Sequence, residues 1–164
     1  MDVQYDDTTQ VAFGAALVWA STSLAAPQEI VVRYPSPADY VPGAFYLREL
    51  PVLLELLHQA PGVKTAIVDG YVDLDPDGRA GLGRHLHDAS GLDVIGVAKS
   101  RFAPATHALE VTRGSSARPL YITAAGVSTT AAAAFVASLP GSARIPDPLR
   151  LVDRLARKGA SGQT

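Results

Sequence analysis

Hydrophobic and polar positions change their period along this chain, and the changes mark its elements. Up to residue 34 the apolar residues fall in runs separated by polar turns, the last of them β-branched. Asp2 to Tyr5 and Val11 to Ala20 flank the polar turn Asp6-Asp7-Thr8-Thr9, which predicts a hairpin, and Glu29 to Tyr34 supplies a third strand. Three strands in succession predict an antiparallel meander. After a proline-stiffened loop the spacing becomes helical from Ala44 to His58, with Leu47, Leu50, Leu54 and Leu57 recurring on one side. Pro51 lies inside that helix and predicts a kink or a restart there.

Beyond Pro61-Gly62 the alternation is that of a β-α-β unit. Thr65 to Val68 reads as a strand, Ala80 to Ala89 as a helix ending near Gly91, and Val94 to Val97 as the next strand. A crossover through a helix implies parallel pairing. Ala108 to Thr112 and Tyr121 to Thr123 are short further strands, Thr129 to Leu139 an alanine-rich helix, and Asp147 to Arg157 a last helix with Pro148 in its first turn. The expected class is α/β, a mixed sheet in which an antiparallel three-strand meander precedes parallel strands, flanked by helices.

Composition narrows the picture without changing it. A chain of 164 residues, 48% hydrophobic and 18% charged, suits one domain with a real core, expected over residues 1–158 with a flexible tail at 159–164. It has no cysteine, so disulfides, thiolate metal sites and a cysteine nucleophile are excluded. The uncharged stretch from Val11 to Ala26 follows Asp2, Asp6 and Asp7 rather than a basic segment; Gln10 borders it, and it carries Ser21, Thr22 and Ser23. It reads as a buried strand, not a signal peptide or membrane span, and the expected compartment is the cytoplasm. Gly81-Leu82-Gly83 lies in a helical segment and lacks a third glycine, so it is not a dinucleotide-binding turn.

Charge is distributed unevenly. Residues 1–98 hold 5 Lys and Arg against 13 Asp and Glu, whereas residues 99–164 hold 9 against 3, so the net charge of −2 is the sum of −8 and +6. An acidic, metal-holding part beside a basic, phosphate-following part is the functional reading; a solvated terminal helix is the ordinary one. Three carboxylates stand on separate predicted elements: Asp2 in the first strand, Glu49 in YVPGAFYLRE, and Asp69 at the end of the AIVDG strand. A compact α/β fold can bring such groups to one point, a nest for a hard cation. Singly, Asp2 is explained as a terminal polar residue, Glu49 as a partner of Arg48 and Tyr40 as a core aromatic.

Taken together and in order, YVPGAFYLRELPVLLELL (Tyr40 to Leu57), AIVDG (Ala66 to Gly70), GLDVIGVAKSR (Gly91 to Arg101) and IPDPLRLVDRLAR (Ile145 to Arg157) resemble the endonuclease V family. MDVQY at the start and RPLYIT (Arg118 to Thr123) extend the resemblance over nearly the whole chain. It implies a ribonuclease-H-like fold and a Mg²⁺-dependent endonuclease, with Mn²⁺ as a substitute, acting in DNA repair. The implied substrate is nucleic acid containing inosine, DNA and also RNA, cut on the 3′ side of the deaminated base. Carried over residue by residue, the implied metal ligands are Asp2, Glu49 and Asp69, with Lys99 as the catalytic lysine. Tyr40, Val41, Pro42 and Gly43 match the wedge that enters the base stack, and Gly70 a position where a side chain would obstruct the base pocket. Extruding a base leaves a gap that apolar groups can fill, and proline fixes the loop in advance.

The chain departs from the family at two histidines. The family histidine after Asp-Gly is missing from YVDLDPDGRAGLGRH, and a Gly-His-Arg segment after the late strand is replaced by Ala124-Ala125-Gly126-Val127-Ser128. His58, His85, His87 and His107 read as surface or packing residues, His85 matching a family position. Two readings follow. In one the nuclease is active, and Asp73, Asp75 or Asp77 supplies the missing contact, Asp75 being the ligand candidate. In the other the protein is a catalytically degenerate relative that binds nucleic acid or serves as an interaction domain. A small-molecule hydrolase on the same fold ranks last.

Overall fold

Each of the first three apolar runs pairs along its length, and the meander results. A computed structural model, describing residues 1–6, 8–19, 26–35 and 45–161, has β1 at Asp2–Asp6, β2 at Val11–Val18 and β3 at Gln28–Pro35. They form an antiparallel sheet of order β1-β2-β3. The first turn is tied by Asp6, whose carboxylate accepts the Thr8 and Thr9 N–H groups at 2.9 and 3.3 Å and the Thr9 hydroxyl at 2.7 Å. The Thr9 hydroxyl is the main reason its pKa falls below the ordinary carboxylate value.

Helix α1 (Tyr46–His58) and helix α4 (Asp147–Ser161) cover this sheet. Gly14 of β2 lets α1 approach: a Cβ there would stand 2.6 Å from Val52 and 3.0 Å from Leu56. On the alternate face Ala15 packs with Val152 and Ala156 of α4. Because β2 is central and covered on both sides, its sequence is a continuous apolar run rather than an alternating one. The helix is continuous through Pro51, with no restart. Proline there removes only the bond to the Leu47 carbonyl, and Leu47 is 43% exposed, within reach of water. The predicted first residue of this helix, Ala44, lies outside the described residues. At the other end α4 continues past the expected tail boundary at residue 159, because Gly159 packs on the Phe13 ring, 3.0 Å from where a Cβ would be.

The described chain forms two compact units, Met1–Val63 with Arg150–Thr164, and Lys64–Leu149. The second contains β4 (Thr65–Asp69), α2 (Leu82–Ser90), β5 (Asp93–Ala98), β6 (Leu109–Val111), β7 (Leu120–Ala125) and α3 (Thr129–Ser138). Its sheet has the order β4-β5-β7-β6, with β4 parallel to β5 and β7 antiparallel to both neighbours. The predicted crossover is thus present, and the fold is of the expected α/β class. Among the described residues the meander and the mixed strands are hydrogen-bonded as separate sheets.

Ile95, Val97, Leu120, Ile122, Ala132 and Val136 form the core of the second unit. Arg113 is a buried polar exception. Its guanidinium donates to the carbonyls of Ala137, Leu139, Gly141 and Ala143, closing the C-terminal end of α3. Among the described residues no helix is long and apolar enough to cross a membrane.

Candidate functional site

Parallel strands expose their carboxyl ends to whatever binds an α/β sheet, and the chemistry of the second unit is concentrated there. Asp69 is the last residue of β4 and pairs with Val97 of β5. Lys99, two residues beyond Val97 and so on the same side, reaches back until Nζ is 2.5 Å from Asp69 Oδ2. Both side chains are about two-fifths exposed, 41% for Lys99 and 43% for Asp69. The pair is a carboxylate and an ammonium held in register yet open to solvent.

The backbone after Asp69 is fixed by close contacts rather than by side-chain bulk. Gly70 has φ +113°, a conformation that L side chains rarely adopt, while a Cβ there would meet nothing within 4 Å. The backbone there favours glycine on conformational grounds, and the space beside its Cα is open. Across from it, a Cβ on Gly96 would stand 2.7 Å from the Gly70 carbonyl and 2.8 Å from the Val72 nitrogen. The buried Val72 N–H donates to Thr123 Oγ1 at 2.7 Å. Tyr71 is also buried, and its hydroxyl donates to the Ser100 carbonyl at 2.8 Å and accepts the Phe102 N–H at 3.0 Å. Burial is the main cause of the rise in its pKa. One phenol thereby links the segment after Asp69 to the segment after Lys99.

The acidic loop is likewise internally satisfied. Asp73 accepts two bonds from the Arg84 guanidinium, at 2.8 and 2.7 Å, and these bonds foremost raise the arginine above its usual pKa. Asp75 accepts the Arg79 N–H at 2.9 Å and pairs with its side chain at 3.3 Å. Gly78 N–H returns to the Asp75 carbonyl, so Asp75-Pro76-Asp77-Gly78 is a turn. Helix α2 starts at Leu82 rather than Ala80 because Gly81 is extended, and the N–H groups of Gly83 and Arg84 donate to the Tyr71 and Val72 carbonyls. Those amides are already used. The Gly81-Leu82-Gly83 pair thus serves close backbone packing.

Asp2 and Glu49 belong to the first unit, Asp69 and Lys99 to the second. Asp2 is paired with Ala15, which places it on the sheet face that α4 covers. There the sequence reading missed Asp153, which pairs with Arg157 at 3.0 and 3.1 Å. These bonds raise the Arg157 pKa, and the charge of Asp2 adds to the effect. The missed signal was the charge at the fourth-residue interval in the last helix. Glu49 lies one turn before Val52 and Leu53, the buried face of α1, and is itself half-buried. Arg48 stacks its guanidinium 4.2 Å from the Tyr5 ring centre. Tyr40, Val41, Pro42 and Gly43 lie outside the described residues.

All the candidate donors are carboxylate oxygens, the chemistry that a hard divalent cation requires. Among the described residues of either unit, no three His, Asp or Glu side chains are gathered as a metal cluster. That donor set still fits Mg²⁺, which is commonly held by one or two carboxylates with substrate phosphates and water completing its shell. His87 closes the end of α2 through Nδ1 and the Leu92 carbonyl, 2.6 Å away, and both ring nitrogens of His107 are buried.

Residues 1–125 match the family model described as Endonuclease V. The chain is similar to Endonuclease V of Azotobacter vinelandii, 32% identical over 98% of this chain and 81% of the relative. Its structure is similar to the crystal structure of Endonuclease V from Streptomyces avermitilis, with TM-score 0.78, 28% identity, and coverage of 98% of this chain and 79% of the other. It also has the fold of Ciona intestinalis Endonuclease V crystallised with a 24mer DNA containing an inosine followed by a ribo-adenosine. That likeness has TM-score 0.80 at 18% identity, and covers 99% of this chain and 84% of the other. With the model match and the identity both extending over most of its length, this chain belongs to the endonuclease V family.

Proposed function

We propose that this protein is a metal-dependent endonuclease that hydrolyses a phosphodiester on the 3′ side of inosine in nucleic acid, contributing to DNA repair in the cytoplasm. Family membership supports the reaction class, and the Asp69–Lys99 pair at the strand ends is the structural observation that carries the reading. Residues 1–158 would act as one catalytic domain. Asp2, Glu49 and Asp69 would hold Mg²⁺, or Mn²⁺ in its place. When bound, such an ion makes an attacking water more acidic and neutralises charge on the phosphoryl oxygens.

Lys99 supplies the protein's own positive charge. Its ammonium is a compact point charge on a flexible stem, and its exposure lets it turn from Asp69 toward a phosphate oxygen. Tyr40, Val41, Pro42 and Gly43 would enter the stack beside an extruded inosine in DNA or RNA, with Gly70 at the base pocket. Phe45 and Leu47, which follow that segment in sequence, are exposed at 44% and 43% and favour this use. Asp75, the further ligand candidate, would share with the metal the carboxylate oxygens that accept from Arg79.

The second reading, a degenerate relative that binds without cutting, rests on the two family histidines that this sequence replaces. Incubating wild type and Asp69→Ala with a single-inosine oligonucleotide and Mg²⁺ or Mn²⁺ separates the two. Cleavage by wild type alone is expected. Binding without cleavage by wild type would establish the degenerate reading, and loss of both would overturn nucleic acid as the partner.

A further inference from the structure

We infer that Arg144 is a positioning residue for Lys99, acting on its backbone rather than on the substrate. Lys99 follows the last β5–β7 ladder pair, Ala98 with Tyr121, so its main chain is leaving the sheet at the point where its side chain must be aimed. One nitrogen of Arg144, Nη2, donates to the Lys99 carbonyl and also to the Pro119 carbonyl, the latter at 2.8 Å. Pro119 immediately precedes β7, the antiparallel neighbour of β5. A single charged donor therefore ties together the ends of two adjacent strands, with the strength that ionised donors give such bonds.

The base of this side chain is fixed as well. Ile145, next in sequence, packs on the core of the second unit, and Pro146 is fully buried. Lys99 is consequently held at both ends, its carbonyl by Arg144 and its ammonium by Asp69. The inference rests on the proposed role of Lys99 as the phosphate-facing cation, and its test has an arm that does not depend on that role.

The chain has three lysines, Lys64, Lys99 and Lys158, so reductive ¹³C-dimethylation gives a spectrum in which Lys99→Arg assigns the relevant resonance. In Arg144→Gln that resonance should move or broaden while Lys64 and Lys158 stay in place. In the cleavage assay Arg144→Gln should lower kcat by about ten- to a hundred-fold, the scale at which a displaced reacting group is felt, with KM within about twofold. Arg33→Ala, an exposed arginine of β3, should change neither. An unmoved Lys99 resonance in folded Arg144→Gln would overturn the inference, as would equal displacement of all three lysines. Wild type that fails to cleave would overturn the nuclease reading alone, since the resonances still decide the role of Arg144.

Discussion

Replacing Thr123 by Val removes one acceptor from a nearly isosteric side chain and leaves the Val72 N–H buried with nothing to bond. Thr123 is 1% exposed and Val72 fully buried, so water cannot take over the 2.7 Å bond without opening the loop. An unpaired buried donor costs about 1–3 kcal/mol. For a chain of this size each kcal/mol lowers Tm by about 2–4 °C, so a fall of about 2–12 °C is expected. Thr123→Ser keeps the acceptor and loses one methyl, worth about 0.8 kcal/mol in transfer alone. The two variants are therefore separated by place rather than by size. Amide exchange at Val72 should accelerate in Thr123→Val and stay near wild type in Thr123→Ser. Cleavage should follow the same order, because the affected backbone continues directly from Asp69 and Gly70. Equal protection of Val72 in wild type and Thr123→Val would refute the reasoning, and so would equal loss of protection in both variants.

Gly96→Ala should destabilise by about 1–3 kcal/mol or more in chemical denaturation, because the new methyl meets the Gly70 carbonyl and the Val72 nitrogen, neither of which can rotate away. Tyr71→Phe should alter the alkaline limb of stability. A pKa raised on folding means stability that is complete below the phenol's ordinary value of 10.0 and is lost as pH rises through the folded value, so the variant should lack that decline in pH-dependent denaturation. Arg113→Met, which strips the donor from four carbonyls at the end of α3, should cost about 2–4 kcal/mol by the same measurement. Asp75→Ala should leave the Mg²⁺ concentration for half-maximal cleavage unchanged, since Asp75 already serves the turn with Arg79; a rise would identify it as a ligand.

What was legible in the sequence is what short-range chemistry decides. Asp6 ties its own turn, Ser128 accepts the Ala131 N–H at the start of α3, and Gly91 ends α2 in a left-handed conformation with φ 70°. The meander and the β4-α2-β5 crossover follow from such signals and from residue periodicity. Asp75-Pro76-Asp77-Gly78 carried a turn signature too, and the turn is formed. The start of α2 was displaced by two residues because its amides are satisfied by Tyr71 and Val72, ten residues and more upstream, which no local pattern reveals. Asp69 and Lys99 were found by motif, but their contact spans thirty positions and depends on parallel register. Arg144 had no signal at all, since its bonds go to backbone carbonyls, which every residue possesses.

The contacts around Asp69 also bear on how the site is prepared. A carboxylate on a mobile loop would be placed by whatever it binds, and its ligand would have to supply the ordering entropy. Here the ordering is already done by groups other than Asp69 itself: Gly96 admits the backbone, Thr123 holds Val72, Tyr71 joins the two strand-end segments, and Arg84 locks Asp73. None of these bonds has to break for Asp69 to change partner. The ion pair with Lys99 opens at an exposed position, where such a pair is worth about 0–1 kcal/mol. Exchange of the counter-ion is thus cheap while geometry is retained, which is the condition for a carboxylate that must meet a cation and release its lysine to a phosphate.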